Sequence, residues 1–236
     1  MRFWHYPLAY ARRRPVRAAL ITVFVLFCLN IGRYAVWPPV ARLAQDNPQT
    51  TAFIEYRKAA WKKRGQKKTV LRTWKPLRAI SRHLIKAVVA AEDSTFWNHE
   101  GFDLDGMREA MERNIKRGRF AAGGSTITQQ LAKNLYFSPE KSVVRKIQEA
   151  IVAKRLEWNL SKERILELYL NVAEWGDGAF GAEAAARRHF GTSASRLTAR
   201  QAATLAAMLP SPIKRKPGSP QVRRYANTIL ARMRIM

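Results

Sequence analysis

The chain has 236 residues, with 43 basic and 17 acidic side chains and a formal net charge of +26. Cys28 is the single cysteine, which excludes an internal disulfide bond. The charge predicts a polyanionic partner, which could be nucleic acid, anionic lipid or a phosphorylated substrate. The length, less a membrane segment, suits about one domain with a substantial core.

The N-terminal segment combines a basic tail with an apolar run. Residues 1–17 carry a cluster of arginines, and residues 18–31 are almost wholly apolar. A bilayer span needs about 20 residues, and extension of the run to Trp37 supplies them if Arg33 reaches toward the headgroups. We predict a transmembrane anchor over residues 18–37, with the tail in the cytoplasm and the bulk of the chain outside by the positive-inside rule.

A cleaved signal peptide is the alternative for this segment. We favour an uncleaved anchor because no small-x-small cleavage site follows the apolar run. The sequence Trp37-Pro38-Pro39 interrupts the place where such a site is expected.

Residues 38–78 form a Pro-containing and then strongly basic stretch, which we predict to be a membrane-proximal connector. No acidic residue lies between Arg57 and Lys86, and Trp61 and Trp74 are interleaved with the basic ones. This mixture suits single-stranded nucleic acid or a membrane surface. The predicted topology favours the membrane and argues against nucleic acid, because the basic stretch lies outside the cytoplasm.

From Ile80 onward the sequence is a succession of helical patterns with capping residues. Thr198 and Gln201 form a capping box, Pro210 ends the helix that follows, and Ser219-Pro220 begins a last helix. We find no strand alternation of useful length and predict an all-α, mainly helical domain over residues 79–236. The other predicted helices cover residues 81–92, 105–116, a segment capped by Ser125, 142–158 and 162–172.

Glu92 and Asp93 end the first of these helices, after an apolar stripe. A carboxylate at the carboxyl end of a helix and against apolar neighbours should have a raised pKa, which suits a general base or acid. A solvated acidic pair is the alternative. His99 follows with no second histidine at ligand spacing, so we predict a turn-stabilising histidine and no metal site.

The segment Gly123-Gly124-Ser125-Thr126-Ile127-Thr128-Gln129-Gln130-Leu131-Ala132-Lys133-Asn134 combines two glycines with a polar helix face. We predict that Ser125 caps the helix and that its free N–H groups point toward an anionic ligand. Thr126, Gln130 and Lys133 share one face at helical spacing. An ordinary capped surface helix is the alternative.

Arg145, Lys146 and Glu149 lie within the helix that Ser142 caps. Arg145 and Glu149 are one turn apart and could form a surface ion pair. The functional alternative is a pair of cations that face a diphosphate, with a second carboxylate beside them.

Together these blocks resemble the peptidoglycan glycosyltransferases, glycosyltransferase family 51. The pattern E-D-x-x-F-x-x-H-x-G begins at Glu92, and G-x-S-T-I-T-Q-Q-x-x-K-N begins at Gly123. R-K-x-x-E begins at Arg145, K-x-x-I-L-E-x-Y-L-N begins at Lys162, and a late block ends in LPSP. The resemblance covers residues 80–212. Gln201 stands where many members of the family have an acidic residue, and we expect its role to be structural.

The resemblance implies a lysozyme-like fold and the polymerisation of lipid II into β-1,4-linked glycan strands, with release of undecaprenyl diphosphate. It implies that Glu92 is the general base and that Glu149, the second catalytic residue, positions the cations that face the diphosphate or assists electrostatically. The remaining implied site residues bind the sugar and diphosphate; they are Ser125, Thr126, Gln130, Lys133, Asn134, Arg145 and Lys146.

The resemblance also sets expectations about partners and location. The chain ends soon after the last block, so we expect the short, monofunctional type without a transpeptidase domain. We expect an inner-membrane protein with a periplasmic catalytic domain, lipid II and the growing strand as substrates, and other cell-wall synthesis proteins as possible partners. Residues 107–120 should form a mobile flap at the membrane. No cofactor is required from the sequence, although Mg²⁺ or another divalent cation could assist at the diphosphate. A membrane-anchored, lysozyme-like lytic enzyme is the alternative function.

Overall fold

The computed structural model describes residues 14–116, 118, 123–140 and 142–236. Within these residues the chain is mainly helical, which confirms the predicted fold class. The helices in chain order are α1 (Pro15–Gly32), α2 (Ala52–Lys63), α3 (Arg82–Glu92), α4 (Leu104–Lys116), α5 (Ile127–Tyr136), α6 (Val143–Asn159), α7 (Lys162–Val172), α8 (Ala182–Phe190), α9 (Ala199–Met208) and α10 (Pro220–Arg234).

Helix α1 carries the apolar run and exposes almost all of it. Among the described residues it is the one helix that is long and apolar enough to cross a membrane, which is consistent with membrane anchoring. It begins at Pro15, a few residues before the predicted start of the anchor, and a 3₁₀ turn at Arg33–Ala35 follows it. Residues 1–13 of the predicted tail lie outside the described part of the chain.

The end of the apolar helix is fastened to helix α6. The Gln148 side-chain amide donates to Asn30 Oδ1 at 2.6 Å. Arg155 donates to the carbonyl oxygens of Tyr34 and Val36 at 3.0 and 2.9 Å. The end of the anchor segment is therefore held by hydrogen bonds from two residues of helix α6, and not by the chain connection alone.

The range 38–78, predicted as a connector, contains helix α2 and packs on the domain. Thr51 caps α2, and Trp61 near its end is buried and donates its ring N–H to Asp177 Oδ1 at 3.1 Å. Leu71 then pairs with a short hairpin, because its N–H donates to the Gly178 carbonyl at 2.8 Å. This segment therefore contributes a wall of the domain.

The hairpin consists of β1 (Glu174–Gly176) and β2 (Ala179–Phe180), which pair antiparallel. Its strands are too short for an alternation pattern to reveal them in the sequence. Gly178 has a φ of +83°, and a Cβ there would lie 2.9 Å from the Thr69 carbonyl oxygen, so the turn requires glycine.

The core lies where α3 packs on α9 and α10 and where α5 packs on α6 and α7. The inward positions recur at helical spacing, as the sequence predicted for α3 and α7. The capping roles predicted for Ser81, Ser142, Ser161, the Thr198–Gln201 box and Ser219 are also confirmed. The largest fully buried side chains include Trp175, Tyr169, Phe96, Phe180, Leu84, Ile127, Leu131 and Leu156.

Helix α4 occupies most of the predicted flap, residues 107–120. It exposes Met107, Met111 and Ile115 along one side. Residues 117, 119 and 120 of the flap lie outside the described residues. An apolar stripe on a largely solvated helix suits contact with lipid, as the flap hypothesis requires.

Asn171 holds the α2-containing segment to helix α7. Its Oδ1 accepts from the Lys75 N–H, and its Nδ2 donates to the carbonyl oxygens of Lys75 and Glu167, each at 2.8 Å. The side chain is fully buried. Both polar groups of the Lys75 backbone therefore depend on one amide.

We predict that Asn171→Ala lowers the free energy of unfolding by about 2 kcal/mol or more, because it leaves buried polar groups without partners. Chemical denaturation of the purified protein measures this change. Asn159→Ala is the matched control, since Asn159 is exposed and makes one local bond to the Arg155 carbonyl. Equal effects of the two substitutions would contradict the prediction.

Candidate active site

Glu92 is the last residue of α3 and lies at the centre of a hydrogen-bonded chain. The Gln130 Nε2 donates to Glu92 Oε2 at 2.8 Å, and the Tyr169 hydroxyl donates to Gln130 Oε1 at 2.9 Å. Tyr169 is buried, so it fixes the Gln130 amide with its N–H group toward the carboxylate. This geometry gives Glu92 one defined acceptor bond and leaves its other oxygen for a further partner.

The surroundings of Glu92 favour its protonated form more than water does. Burial raises the pKa of Glu92, and the neighbouring Asp93 raises it further. The Gln130 hydrogen bond and the charges of Lys133 and Arg215 act in the opposite direction. The net rise agrees with the direction expected from its place at the carboxyl end of a buried helix.

The predicted cap of helix α5 was wrong by one residue. Thr126, not Ser125, is the N-cap. Its hydroxyl oxygen accepts from the Gln129 N–H, and the Thr126 N–H donates to the side-chain oxygen of Gln129. The physical reason is the spacing, because the capping box requires Gln or Glu three residues after the cap and only Thr126 has it. The sequence contained this signal.

The amino end of α5 is also closed to an external anion, contrary to the expectation from its glycines. Asp93 Oδ2 accepts the Ile127 N–H at 2.9 Å, and the Thr126 hydroxyl donates to the Gly101 carbonyl at 2.7 Å. An internal carboxylate therefore occupies the positive end of this helix dipole. Thr126 is buried in the cap and does not face open space.

His99 stabilises this turn, as the sequence predicted. The Gly101 N–H donates to His99 Nδ1 at 3.1 Å, so the ring proton lies on Nε2, which is 2.9 Å from Asp93 Oδ1. Asp93 thereby joins α3, the His99 turn and α5. Its carboxylate has a structural role, and Glu92 is the carboxylate of the pair that stays available for chemistry.

Glu149 is buried and gathers two cations. Arg145 forms a close ion pair with it, and Lys146 Nζ lies 3.5 Å from its Oε2. Lys146 also donates to the Ser125 hydroxyl at 3.0 Å, which joins α6 to the loop before α5. The predicted ion pair is therefore confirmed, and the same carboxylate also holds Lys146, while the orientation of both cations toward a diphosphate stays a prediction.

The charge of Lys133 interacts with both Glu149 and Glu92. Burial lowers the pKa of Lys133, and the nearby charges of Arg145 and Lys146 lower it further. Glu149 and, more weakly, Glu92 oppose this change. A desolvated ammonium that shares two carboxylates is suited to attract an incoming anion.

A cleft of about 420 Å³ opens beside these groups. Gln130, Lys133 and Asn134 line one wall, and Tyr169 lies with them. The opposite wall is the loop of residues 209–214. The structure therefore brings three predicted site residues together on the cleft, with Glu92 bonded to one of them and the Arg145–Lys146 pair coupled to another.

Two cleft residues were missed by the sequence prediction. Arg57 Nε and Nη2 both donate to Glu174 Oε2, at 3.0 and 2.7 Å, and both residues line the cleft. Burial raises the pKa of Glu174, and Arg57 opposes this change. The two residues are 117 positions apart, so no local pattern could pair them. The available signal was an acidic residue, Glu174, within the otherwise mostly apolar segment NVAEWGDGAFG.

No group of three or more His, Cys, Asp or Glu side chains that could hold a metal ion occurs in the described residues. The carboxylates near the cleft are each bonded to cations or amides, as described above. A divalent cation at this site would therefore depend on ligand oxygens for most of its coordination.

Comparison with known proteins defines the family. A family model described as Transglycosylase matches residues 59–234. This chain belongs to the transglycosylase family. Its relatives include the biosynthetic peptidoglycan transglycosylase of Azoarcus sp. (strain BH72), with 48% identity over 218 residues, 91% of this chain and 93% of the relative. The protein of the same description from Dechloromonas aromatica (strain RCB) is 50% identical over 210 residues, 86% of this chain and 91% of the relative.

Membership of this transglycosylase family confirms the enzyme class expected from the motifs. The chain is a peptidoglycan glycosyltransferase of cell wall synthesis. The family match begins at residue 59, so it includes the end of helix α2 but not Arg57. The Arg57 wall of the cleft therefore lies outside the region that the family model covers.

We predict that Lys133→Met keeps or raises the thermal stability of this transglycosylase while it weakens catalysis strongly. The net lowering of the lysine pKa means that the folded protein disfavours the charged ammonium, so an apolar side chain of similar length relieves that cost. Thermal unfolding and an activity assay on the same preparation test both parts. A fall in melting temperature as large as that of a core truncation would contradict this account.

Proposed function

We propose that the enzyme polymerises lipid II into β-1,4-linked glycan strands and releases undecaprenyl diphosphate. The observation that carries the proposal is that two features meet at one wall of the cleft, through its lining residues Gln130 and Lys133. Glu92 is a carboxylate with a raised pKa, held by Gln130, and Lys133 with the Arg145–Lys146 pair supplies positive charge beside it. A base next to a cation cluster is what attack on a diphosphate-linked sugar requires.

In this mechanism Glu92 removes the proton from the 4-hydroxyl of the acceptor sugar. The resulting oxygen attacks C1 of the growing strand, and the bond between C1 and the diphosphate oxygen breaks with its electron pair on the diphosphate. Configuration at C1 inverts to give the β-link. The proton resides on Glu92 until water accepts it. Its raised pKa makes the carboxylate a stronger base than an ordinary glutamate.

The leaving diphosphate carries negative charge, so its departure depends on cations more than on a general acid. Lys133, Arg145 and Lys146 supply them, and Glu149 positions the latter two. Arg145 Nε is buried and has no hydrogen-bond partner among the residues that the structure describes. This unused donor supports a role in anion binding.

The remaining predicted residues divide between contact and support. Gln130 and Asn134 line the cleft and would bind sugar or phosphate oxygens, whereas Ser125 is bonded to Lys146 and would orient it. Thr126 would act through the cap that it forms for helix α5. Mg²⁺ or another divalent cation, if bound, would add positive charge at the diphosphate, and the protein residues would still perform each step above.

The lytic alternative has weaker support. A hydrolase that protonates a neutral glycosidic oxygen needs two carboxylates and no cluster of three cations. The other carboxylates near the cleft are committed to cations, Glu149 to Arg145 and Lys146 and Glu174 to Arg57. Product analysis separates the two functions, since only polymerisation converts lipid II into long strands.

The proposed location is the inner membrane, with the N-terminus in the cytoplasm and the catalytic domain in the periplasm. The apolar helix α1 and the arginines that precede it support this topology. Lipid II, the growing strand and the bilayer are the proposed partners, together with other cell-wall synthesis proteins. Nucleic acid is not a proposed partner because the basic domain lies outside the cytoplasm.

We predict that Glu92→Gln abolishes polymerisation of labelled lipid II, at least about a hundredfold, because an amide cannot accept the hydroxyl proton. Circular dichroism should show an unchanged fold. Glu163→Gln is the matched control, since Glu163 is exposed on helix α7. Wild-type activity in Glu92→Gln would exclude Glu92 as the base.

The pH dependence provides a separate prediction. Only ionised Glu92 can accept a proton, so kcat/KM should rise with pH through the raised pKa of this group. The acidic limb should therefore lie above the ordinary pKa of glutamate. Gln130→Met removes a hydrogen bond that lowers this pKa, so it should move the limb to still higher pH. A limb that shifts to lower pH in this variant would contradict the assignment.

A further inference from the structure

The carbonyl end of helix α3 is held by side chains from the C-terminal part of the chain. The Tyr225 hydroxyl donates to the Ala91 carbonyl at 3.2 Å, and Arg232 Nη1 donates to the Ala90 carbonyl at 3.3 Å. These carbonyls belong to the last turn, where a helix has no internal donors for them. Both contacts come from helix α10 and end immediately before Glu92.

Arg215 completes this arrangement from the loop before α10. Its Nη1 donates to the Ala207 carbonyl at 2.7 Å, and its guanidinium carbon lies 5.8 Å from the centre of the Tyr225 ring. Arg215 is therefore placed by helix α9 and by the ring that bonds to Ala91. We refer to Arg215, Tyr225 and Arg232 as the carbonyl cap.

The charged and titratable groups that face Glu92 come from four directions. Asp93 adjoins it in the chain, Lys133 faces it from α5, and Tyr169 is coupled to it from α7. Arg215 and Tyr225 face it from the carbonyl cap. Two of these groups, Lys133 and Arg215, are cations that favour the ionised carboxylate.

These two cations differ in what else they contact. Lys133 lines the cleft, so the proposed diphosphate would engage it directly. Arg215 does not line that cleft and is bonded to the protein backbone. An anion in the cleft therefore offsets the charge of Lys133 but leaves Arg215 in place. The bound anion also adds negative potential that favours protonation of Glu92.

We propose that the carbonyl cap is a positioning device that keeps Glu92 ionised while a diphosphate substrate occupies the cleft. The inference rests on the proposed role of Glu92 as the base. Arg215 supplies positive charge from a position that does not line the cleft, and Tyr225 and Arg232 satisfy carbonyls whose negative potential would otherwise act on the carboxylate. The C-terminal helix thus contributes to catalysis without contact with the substrate.

The test uses the full-length protein in detergent or bilayers with labelled lipid II. The pH profiles of kcat and kcat/KM are measured for the wild type, Arg215→Gln and Arg215→Lys. Arg215→Gln should move the acidic limb of kcat upward by roughly half to one pH unit. The limb of kcat/KM should move less, because the free enzyme still has the field of Lys133. Arg215→Lys should restore most of the wild-type profile.

Matched variants separate this role from a loss of net charge or of fold. Arg223→Gln removes the same charge from an exposed position on helix α10 and should leave both limbs unchanged. Tyr225→Phe should shift the limb of kcat in the same direction by less. Arg215→Met replaces Arg215→Gln if the glutamine variant is unstable in thermal melts.

The proposal is overturned if charge removal at position 215 lowers kcat equally at every pH, or if Arg223→Gln shifts the limb as much. The underlying function is tested apart from it. Activity in Glu92→Gln would refute the base itself, whereas an inactive Glu92→Gln with an unshifted Arg215→Gln profile would refute only the carbonyl cap.

Discussion

Acidic and basic side chains must both remain ionised at a partly buried cleft, and the structure around the site depends on how this is achieved. A buried carboxylate and a buried ammonium each lose hydration, and each can recover it only from neighbouring charges and hydrogen bonds. Glu92 and Lys133 are such a pair, since burial raises the pKa of Glu92 and lowers the pKa of Lys133. A substrate anion would stabilise the charged form of Lys133 and destabilise the ionised form of Glu92. As the proposed base, Glu92 therefore needs support that the substrate cannot disturb.

That support is arranged in layers. Tyr169 fixes Gln130, and Gln130 fixes one oxygen of Glu92. Asp93 binds the amino end of α5 and the His99 ring, so the helix that carries Gln130 and Lys133 cannot shift independently of the helix that carries Glu92. Of these two consecutive acidic residues, Asp93 has a structural role, and Glu92 is left for the proposed chemical role.

The sequence predicted what local spacing determines. The positions and inward faces of the predicted helices and most of their caps follow from periodicity and from Ser or Thr at the helix start, and the structure confirms them. Helices α2 and α8 were not predicted, because α2 lies in a basic stretch and α8 begins after Gly181 without a side-chain cap. The Ser125 assignment failed because two adjacent hydroxyl residues compete for the cap, and only the position of Gln129 decides between them. The closure of α5 by Asp93 could not be predicted, because it depends on a contact across 34 positions.

The same limit explains the missed wall of the cleft. Arg57 lies in a basic stretch whose composition indicates a membrane-proximal connector, and nothing local distinguishes it from Lys58 or Lys62. Its partner Glu174 is buried by the hairpin, whose strands are too short to be recognised. The composition of a segment reports only its average environment. The position of this segment beside the cleft depends on the single ion pair between Arg57 and Glu174, which are far apart in the sequence.

Helix α6 contacts the membrane segment and also carries Glu149 with its two cations. Gln148 bonds to Asn30 of the apolar helix, and the next residue, Glu149, gathers Arg145 and Lys146. Successive residues on a helix point about 100° apart, so one helix can face the anchor and the cleft at once. The cation cluster is therefore held at a fixed height relative to the apolar helix. In the proposed polymerisation of lipid II, whose diphosphate lies at the membrane surface, this arrangement would bring the cations to the diphosphate and Glu92 to the sugar.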